Sequence, residues 1–212
     1  MTTLIYIADP MCSWCYGFGP ELSALMQGLP ELQVEVVVGG LRPYNTQQMD
    51  EELKTTLLSH WHKVAEKTGL PFVDDALTRE GFIYNTEPAC RAVVTARKLA
   101  PSSTLAMFQA IQHAFYASGM DVTRIDVLSE IGASVLTKMG VPTDAAAFEA
   151  VLTSEETIMA THDDFALTQK WGINGFPTLV LERDGKLDLV TSGYVEMPLL
   201  VEHMQAIIDK PV

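Results

Sequence analysis

The sequence predicts an α/β fold in which a long helical segment separates two groups of strands. Two short apolar runs rich in β-branched residues, Leu4–Ala8 and Val34–Val38, flank a helical stretch over residues 13–28, which is the pattern of a βαβ unit. Strand signals return only after Trp171, and a last helix follows them. The order βαβ, helical block, ββα indicates one α/β domain that is interrupted by an inserted helical domain.

The separating segment, from residue 46 to about residue 171, contains no convincing strand. Apolar residues recur at helical spacing, as Leu53, Leu57 and Trp61 do in its first helix. Pro88 and Pro101 stand where the second helix begins and where it ends. The predicted helices cover Gln47–Thr68, Thr86–Ala100, Thr104–Ser118 and Thr123–Met139, followed by one from a Thr143 cap to Leu152 and one that Ser154 caps.

The end of the chain predicts a hairpin and a closing helix. The runs Thr178–Leu181 and Leu187–Thr191 flank Asp184-Gly185, a dipeptide typical of tight hairpins. A helix is expected over Met197–Asp209. The α/β domain is thus assigned residues 1–45 and 157–212, and the helical insertion is assigned residues 46–156.

The composition limits the partners that the chain is expected to have. Fourteen basic residues against 27 acidic ones give a formal net charge of −13, so neither nucleic acid nor an anionic membrane is expected as a partner. No apolar segment approaches the ~20 residues that span a bilayer. Met1-Thr2-Thr3 enters the first strand at once, without the basic start of a secretory signal, and we expect a cytoplasmic protein.

The most informative motif is Cys12-Ser13-Trp14-Cys15, directly after the first strand. If a helix begins at Cys12, unpaired backbone N–H groups and the helix dipole favour a thiolate there. One helical turn then brings Cys15 close enough for a disulfide. The motif predicts a thiol–disulfide oxidoreductase in which Cys12 attacks and Cys15 resolves the mixed disulfide. Neither Ser13 nor Trp14 is a cation, so we expect them to tune the reactivity of the two thiols without forming an ion pair with a thiolate. Trp14 either covers the site or packs in the core.

Two other interpretations of the cysteine pair stay open at this point. A Cys-x-x-Cys motif is half of a zinc site, but the two further ligands would have to come from Cys90 and five scattered histidines. No second Cys-x-x-Cys or His-x-x-x-His pair exists, so no metal is expected. Alternatively, the two cysteines are half-buried small hydrophobic residues.

Two further residues are candidates for supporting roles. Asp9 precedes Cys12 by three residues at the end of the first strand. Its carboxylate either handles protons when Cys15 attacks or accepts backbone hydrogen bonds from the active-site loop. Cys90 is either a third redox thiol that faces the cleft or a buried core residue.

The element order, the cysteine pair and Gly175-Phe176-Pro177-Thr178 before the third strand resemble the thioredoxin superfamily, and the helical insertion resembles its DsbA-like branch. The strings Asp9–Tyr16 and Asn85–Arg91 resemble the cytoplasmic FrnE-like oxidoreductases and predicted disulfide isomerases. These are relatives of 2-hydroxychromene-2-carboxylate isomerase and the kappa glutathione transferases. Ser13 stands where FrnE-like motifs often have Pro, and Cys90 where related sequences often have His.

The resemblance implies a thioredoxin fold with a cis peptide bond before Pro177, facing the cysteine pair, and an extended backbone at Phe176. It also implies that Asn85, Cys90 and Arg91 lie near a bound ligand. The implied partners are a disulfide-containing protein or a small-molecule thiol substrate, together with a cellular reductant. No cofactor is expected to be bound, and glutathione would serve as reductant or co-substrate.

Three functions are compatible with these features. The first is a thiol–disulfide oxidoreductase or isomerase that uses Cys12 and Cys15. The second is a glutathione-dependent isomerase or transferase that acts on an aromatic or electrophilic small molecule. The third is a non-catalytic redox-sensing or chaperone-like peptide binder. The presence of both cysteines favours the first, because the glutathione-dependent relatives usually have a serine or a lone cysteine at the first position.

Overall fold

A four-stranded mixed sheet forms the centre of the α/β part of the chain. The computed structural model describes residues 2–209. The strand order is β2-β1-β3-β4, with β1 parallel to β2 and antiparallel to β3, and β3 antiparallel to β4. Asp184 and Gly185 both have positive φ, as a tight β3–β4 hairpin of the primed type requires. The strands are β1 Thr2–Ala8, β2 Gln33–Val38, β3 Thr178–Arg183 and β4 Lys186–Ser192.

Helices cover both faces of the sheet. The first helix of the α/β domain, α1, spans Ser13–Gly28, and the last helix spans Met197–Ile208. Both belong to the larger hydrophobic core, to which β1 contributes Leu4 and Tyr6. Ile5 and Ile7 alternate with these residues and point to a smaller core on the opposite face. The sequence therefore predicted the elements of this domain correctly to within two residues at each end.

The inserted segment is helical, as predicted, but several of its details differ, and the short helix Asp75–Thr78 and the 3-10 turn Pro101–Ser103 were not predicted. The helix predicted from Gln47 begins four residues later, because the Asp50 carboxylate accepts a 2.8 Å hydrogen bond from the Leu53 N–H and caps it. Asp144, and not Thr143, caps the short helix, through a 2.7 Å bond from the Ala147 N–H. The helix predicted over Thr104–Ser118 changes to a π-helical turn at His113–Ala117. The helices are α2 Glu51–Thr68, α3 Asp75–Thr78, α4 Glu87–Leu99, α5 Thr104–Gln112, α6 Ile125–Lys138, α7 Ala145–Leu152 and α8 Glu155–Lys170, so that Met197–Ile208 is α9.

Helix α8 connects the insertion to the sheet. Ser154 caps it, as predicted, by accepting a 3.3 Å bond from the Thr157 N–H. The predicted domain limits, residues 1–45 with 157–212 and residues 46–156, place one boundary within α8 and remain a prediction. Residue 1 and residues 210–212 of that assignment lie outside the described part of the chain.

One partly buried ion pair fixes α4 and α8 to β2. The Arg97 guanidinium donates to both Asp164 carboxylate oxygens, at 3.0 and 2.9 Å, and to the Val36 carbonyl at 3.0 Å. The same carboxylate accepts a 3.0 Å bond from the Val38 N–H. Both charges are therefore compensated, and the insertion is held in register with the sheet. Within residues 2–209, no helix is long and apolar enough to cross a membrane.

Candidate active site

The two thiols of the Cys12–Cys15 pair lie at the N-terminus of α1 and differ in burial. Cys12 is the N-cap residue and is 8% exposed, whereas Cys15, in the first turn, is fully buried. Both are free thiols, and the Cys12 thiol is within hydrogen-bond reach of Cys15. Burial, assisted by the neighbouring Cys12, raises the pKa of the Cys15 thiol well above its usual value. The first turn of α1 contains no acidic residue, so nothing there offsets the positive end of the helix dipole.

A loop before β3 lies against the Cys12 thiol. The Phe176–Pro177 peptide bond is cis, as the resemblance implies. The Cys12 Sγ lies 3.7 Å from the Phe176 carbonyl oxygen, to which the thiol donates. The Gly193 N–H donates to the Pro177 carbonyl at 2.7 Å, which ties the loop to the end of β4. Phe176 and Pro177 therefore adjoin the cysteine pair.

The Asp9 carboxylate lies beneath the cysteine loop and is fully buried. It accepts hydrogen bonds from the Met11 N–H at 2.8 Å, from the Leu41 N–H at 2.6 Å and from the Cys90 thiol at 3.4 Å. The Thr86 hydroxyl is a further donor. Burial raises the pKa of Asp9 above its ordinary value, and the four donors oppose that shift. Asp9 thus accepts backbone hydrogen bonds from the active-site loop, one of its two predicted roles.

The three ligand-binding candidates in the string Asn85–Arg91 differ in what they contact. The Asn85 amide oxygen accepts from the Tyr44 N–H at 2.9 Å and the Glu87 N–H at 3.1 Å, so it shapes the start of α4. Cys90 is fully buried and contacts Asp9. Arg91 is paired with Glu87 at 2.9 Å and donates to the carbonyl of Leu152 in α7 at 3.2 Å, so these contacts lie within the insertion. Ligand binding by the three residues remains a prediction.

The structure adds a group of buried tyrosines that the sequence analysis missed. The Tyr84 hydroxyl donates to the Met11 carbonyl, and the Tyr6 hydroxyl donates to the Cys15 carbonyl at 3.4 Å. The Tyr116 ring stacks on that of Tyr16, with centroids 4.8 Å apart. Burial raises the pKa values of Tyr6, Tyr84 and Tyr116 well above the ordinary value. No local pattern marks these residues, because Tyr84 and Tyr116 come from the inserted segment and the Tyr6 contact depends on how α1 packs against β1.

Gly39 is a second feature that the sequence analysis missed, although a Gly39-Gly40 pair directly after a strand indicates a position where another group approaches the backbone closely. A Cβ on Gly39 would overlap the Phe176 ring. Gly40 has a φ of +67°, and its N–H donates to the Cys90 thiol. Glycine is therefore required at both positions, at one for close approach and at the other for backbone conformation.

The residues between the cysteines differ in their surroundings. Ser13 is half-buried at the first position of α1. The Trp14 indole packs on Tyr194, with ring centroids 5.5 Å apart, and remains partly exposed. Among residues 2–209, no group of three or more His, Cys, Asp or Glu side chains could hold a metal ion.

A cysteine pair at a helix N-terminus beside a cis-proline loop, on a βαβ–ββα frame, defines a thioredoxin-fold dithiol protein. The chain belongs to the DSBA-like thioredoxin domain family, whose model matches residues 3–205. It is a thiol–disulfide oxidoreductase of the DsbA-like type. Among curated proteins, no sequence matches it significantly.

Several solved structures are similar over nearly the whole chain. A candidate protein disulfide isomerase from Nitrosomonas europaea is 37% identical, with a TM-score of 0.87 over 98% of this chain and 97% of that one. The cytosolic disulfide reductase DsbM from Pseudomonas aeruginosa is 31% identical, with a TM-score of 0.76 over 97% and 98%. A structure of DsbM with GSH aligns at 28% identity, with a TM-score of 0.75 over 98% and 100%. A 2-hydroxychromene-2-carboxylate isomerase shares the fold, at 17% identity and a TM-score of 0.67 over 97% and 96%.

Proposed function

We propose that the chain exchanges disulfides through Cys12 and Cys15, with glutathione as its reductant. The observation that carries this proposal is the unequal burial of two neighbouring free thiols, 8% against 0% exposed, at one helix N-terminus. The more accessible Cys12 can meet a substrate disulfide, whereas the fully buried Cys15 is withdrawn from solvent beside Cys12. This asymmetry suits a nucleophile and a resolving thiol.

The exchange proceeds in two balanced steps. The Cys12 thiolate attacks one sulfur of the substrate disulfide, forms a mixed disulfide and releases the other sulfur as a thiolate, which takes up a proton. Cys15 then loses its proton and attacks the Cys12 sulfur, which releases the second substrate thiol and leaves the Cys12–Cys15 disulfide. Two molecules of glutathione return the protein to the dithiol and become glutathione disulfide.

The loop of Phe176 and Pro177 is proposed to orient the substrate. Its carbonyl at Phe176 already accepts from the Cys12 thiol, so the backbone beside it is within reach of a group bonded to that sulfur. Pro177 provides no N–H, and the bond from Gly193 holds its carbonyl in place. Trp14 would contact the substrate from the other side of the cysteine pair.

The similarity to DsbM supports glutathione as the reductant and the cytoplasm as the location. One structure of that cytosolic reductase contains GSH, and it aligns with almost the whole of this chain.

The test is a titration with reduced and oxidised glutathione, quenched by alkylation and analysed by intact and peptide mass. The wild type should form a Cys12–Cys15 disulfide in a single two-electron step, while Cys90 stays reduced. Cys15→Ser should accumulate a Cys12–glutathione adduct, and Cys12→Ser, its matched control, should form none. A persistent glutathione adduct on the wild type would instead support a glutathione-dependent isomerase or transferase. Peptide binding that survives Cys12→Ser, without any disulfide, would support a non-catalytic binder.

A further inference from the structure

We propose that a cavity between α1 and α5 binds a small, uncharged aromatic compound that carries a carbonyl group. Helix α1, helix α5 and the loop after α2 form its walls. Its volume of about 430 Å³ lies within the range of about 300–1,000 Å³ that is typical of small-molecule sites. None of the described residues that line it is Cys12, Cys15, Phe176 or Pro177, so the site is separate from the dithiol and goes beyond the proposed exchange.

The first observation is a buried hydrogen-bond donor without a partner. Gln112, the last residue of α5, lines the cavity and is 2% exposed. Within residues 2–209, its side-chain Nε2 has no hydrogen-bond partner. A buried donor that stays unpaired costs free energy, and such groups are rare in folded proteins. A ligand with an acceptor oxygen would supply the missing bond.

The other polar side chains of the wall do not compete for that role. The Tyr16 hydroxyl already donates to the Pro71 carbonyl, at 3.4 Å. Gln109 and His113 also line the cavity, but both are exposed and can bond to water. Gln112 is therefore the donor that can orient a ligand inside the cavity.

The remaining wall favours a flat, uncharged ligand. Tyr16, Pro20 and Pro71 present rigid rings, which lose little conformational freedom when a ligand packs on them, and Leu70 and Ala110 add apolar surface. No Lys or Arg is among the described residues that line the cavity, and the whole chain carries a formal charge of −13. A carboxylate or phosphate is therefore disfavoured, whereas a neutral carbonyl oxygen can accept from Gln112.

The helix also changes its type at this donor. Directly after Gln112, α5 gives way to the π-helical turn His113–Ala117, in which the His113 carbonyl accepts from the Ser118 N–H at 3.1 Å. Such turns are rare and frequently lie at functional sites. The Tyr16 ring, from the opposite wall, stacks on Tyr116 within this turn. The unpaired donor is therefore held between the π-helical turn and α1.

The experiment is an amide NMR titration of the full-length chain with two probes. Acetophenone has a ring and a carbonyl acceptor, and ethylbenzene has the same carbon skeleton without the acceptor. Acetophenone should shift the signals of the Gln112 side-chain amide and of the Tyr16 and Ala110 backbone amides. It should bind about fivefold more tightly than ethylbenzene, which is the scale of one hydrogen bond between neutral groups.

Three variants separate the donor from the shape of the cavity. Gln112→Met keeps the length of the side chain but removes the donor, so acetophenone should bind about fivefold more weakly, while ethylbenzene should bind as it does to the wild type. This variant should unfold at the same or a higher urea concentration, because it also removes an unpaired buried group. Gln109→Met is the matched control on the same helix, and its affinity for both probes should stay within about twofold. Gly19→Leu should prevent the binding of both probes, because it fills the cavity from a position where a Cβ meets no atom within 4 Å.

Equal affinities of the wild type for the two probes, or an unchanged acetophenone affinity in Gln112→Met, would overturn the proposal. Absence of binding, or shifts confined to the amides of Cys12 and Cys15, would overturn it as well, because the cavity would then not be the binding site. If Gln112→Met does not fold, the two probes on the wild type and on Gly19→Leu decide. None of these measurements depends on disulfide exchange, so a failure of the proposed function would leave this test intact.

Discussion

The Trp14 indole, inside the cysteine motif, packs against the ring of Tyr194, which lies between β4 and α9. The Tyr194 hydroxyl donates to Glu21 at 3.3 Å, and the Lys67 ammonium lies 5.4 Å from the centre of its ring. Lys67 in turn pairs with Glu196 at 2.6 Å. The indole is therefore positioned by an aromatic ring that contacts both α1 and the end of α2.

Replacing Tyr194 with Ala should loosen Trp14 and destabilise this junction. The loss of the ring contacts should lower the free energy of unfolding by about 1–2 kcal/mol and shift the Trp14 fluorescence to longer wavelength. Urea unfolding measures the loss of stability, and emission spectra measure the shift. When Tyr194→Ala is made in a Trp14→Phe protein, no shift should be seen. Tyr194→Phe keeps the ring and should retain most of the stability. Equal losses in both variants would mean that the Glu21 hydrogen bond, and not the ring contact, is responsible.

Replacing Gly39 with Ala should displace the Phe176 ring, because the added methyl group would overlap it. Overpacking of this kind costs about 1–3 kcal/mol, and here it also moves the loop beside Cys12. We expect lower stability and slower reduction of a disulfide substrate, measured by urea unfolding and a coupled glutathione assay. The matched control is Gly19→Ala in α1, where the new Cβ meets no atom within 4 Å. An active, fully stable Gly39→Ala would show that the loop position is unimportant.

Removing one partner of the Arg97–Asp164 pair should be strongly destabilising. Arg97→Ala leaves a carboxylate that is mostly buried, so a loss of about 3 kcal/mol is expected from denaturant unfolding. Lys98→Ala is the control at the adjacent residue, because the side chain of its partner Glu156 is 85% exposed. This substitution should lower the free energy of unfolding by less than about 1 kcal/mol. Similar losses in the two variants would contradict a special role for the Arg97–Asp164 pair.

The stability contributed by Asp9 should depend on pH. Because burial raises its pKa, the folded chain binds this proton more tightly than the unfolded chain, whose aspartates titrate near pH ~4. The contribution is therefore complete below about pH 4 and is lost as pH rises through the pKa of the folded state. The stability of the wild type relative to Asp9→Asn, measured by urea unfolding, should fall as the pH rises above about 4 and passes through the raised pKa of the folded state. A difference that does not change with pH would contradict a raised pKa.

Local patterns were sufficient for most of the fold. The apolar run at Leu4–Ala8 and the dipeptide Asp184-Gly185 fix a strand and a turn through neighbouring residues alone. Helix ends were less certain where two cap residues compete, as Thr143 and Asp144 do. The side chain that accepts from the third N–H decides such cases, and that choice depends on the final backbone.

The site was predictable only where its residues are adjacent in sequence. Cys12 and Cys15 lie one helical turn apart, so their proximity follows from helix geometry. The contact between Asp9 and Cys90 joins residues 81 positions apart, and the Tyr84 hydroxyl reaches Met11 across 73. No periodicity encodes such pairs, because they depend on how the insertion packs on the sheet.

The Arg97–Asp164 pair has a second consequence, which concerns association with other chains. β2 lies at one end of the strand order, where an uncovered strand would offer its backbone groups to a strand from another molecule. Here the Val36 carbonyl and the Val38 N–H are already bonded to Arg97 and Asp164. This edge of the sheet is therefore closed to intermolecular strand pairing at those positions, which protects the folded chain there from edge-to-edge aggregation.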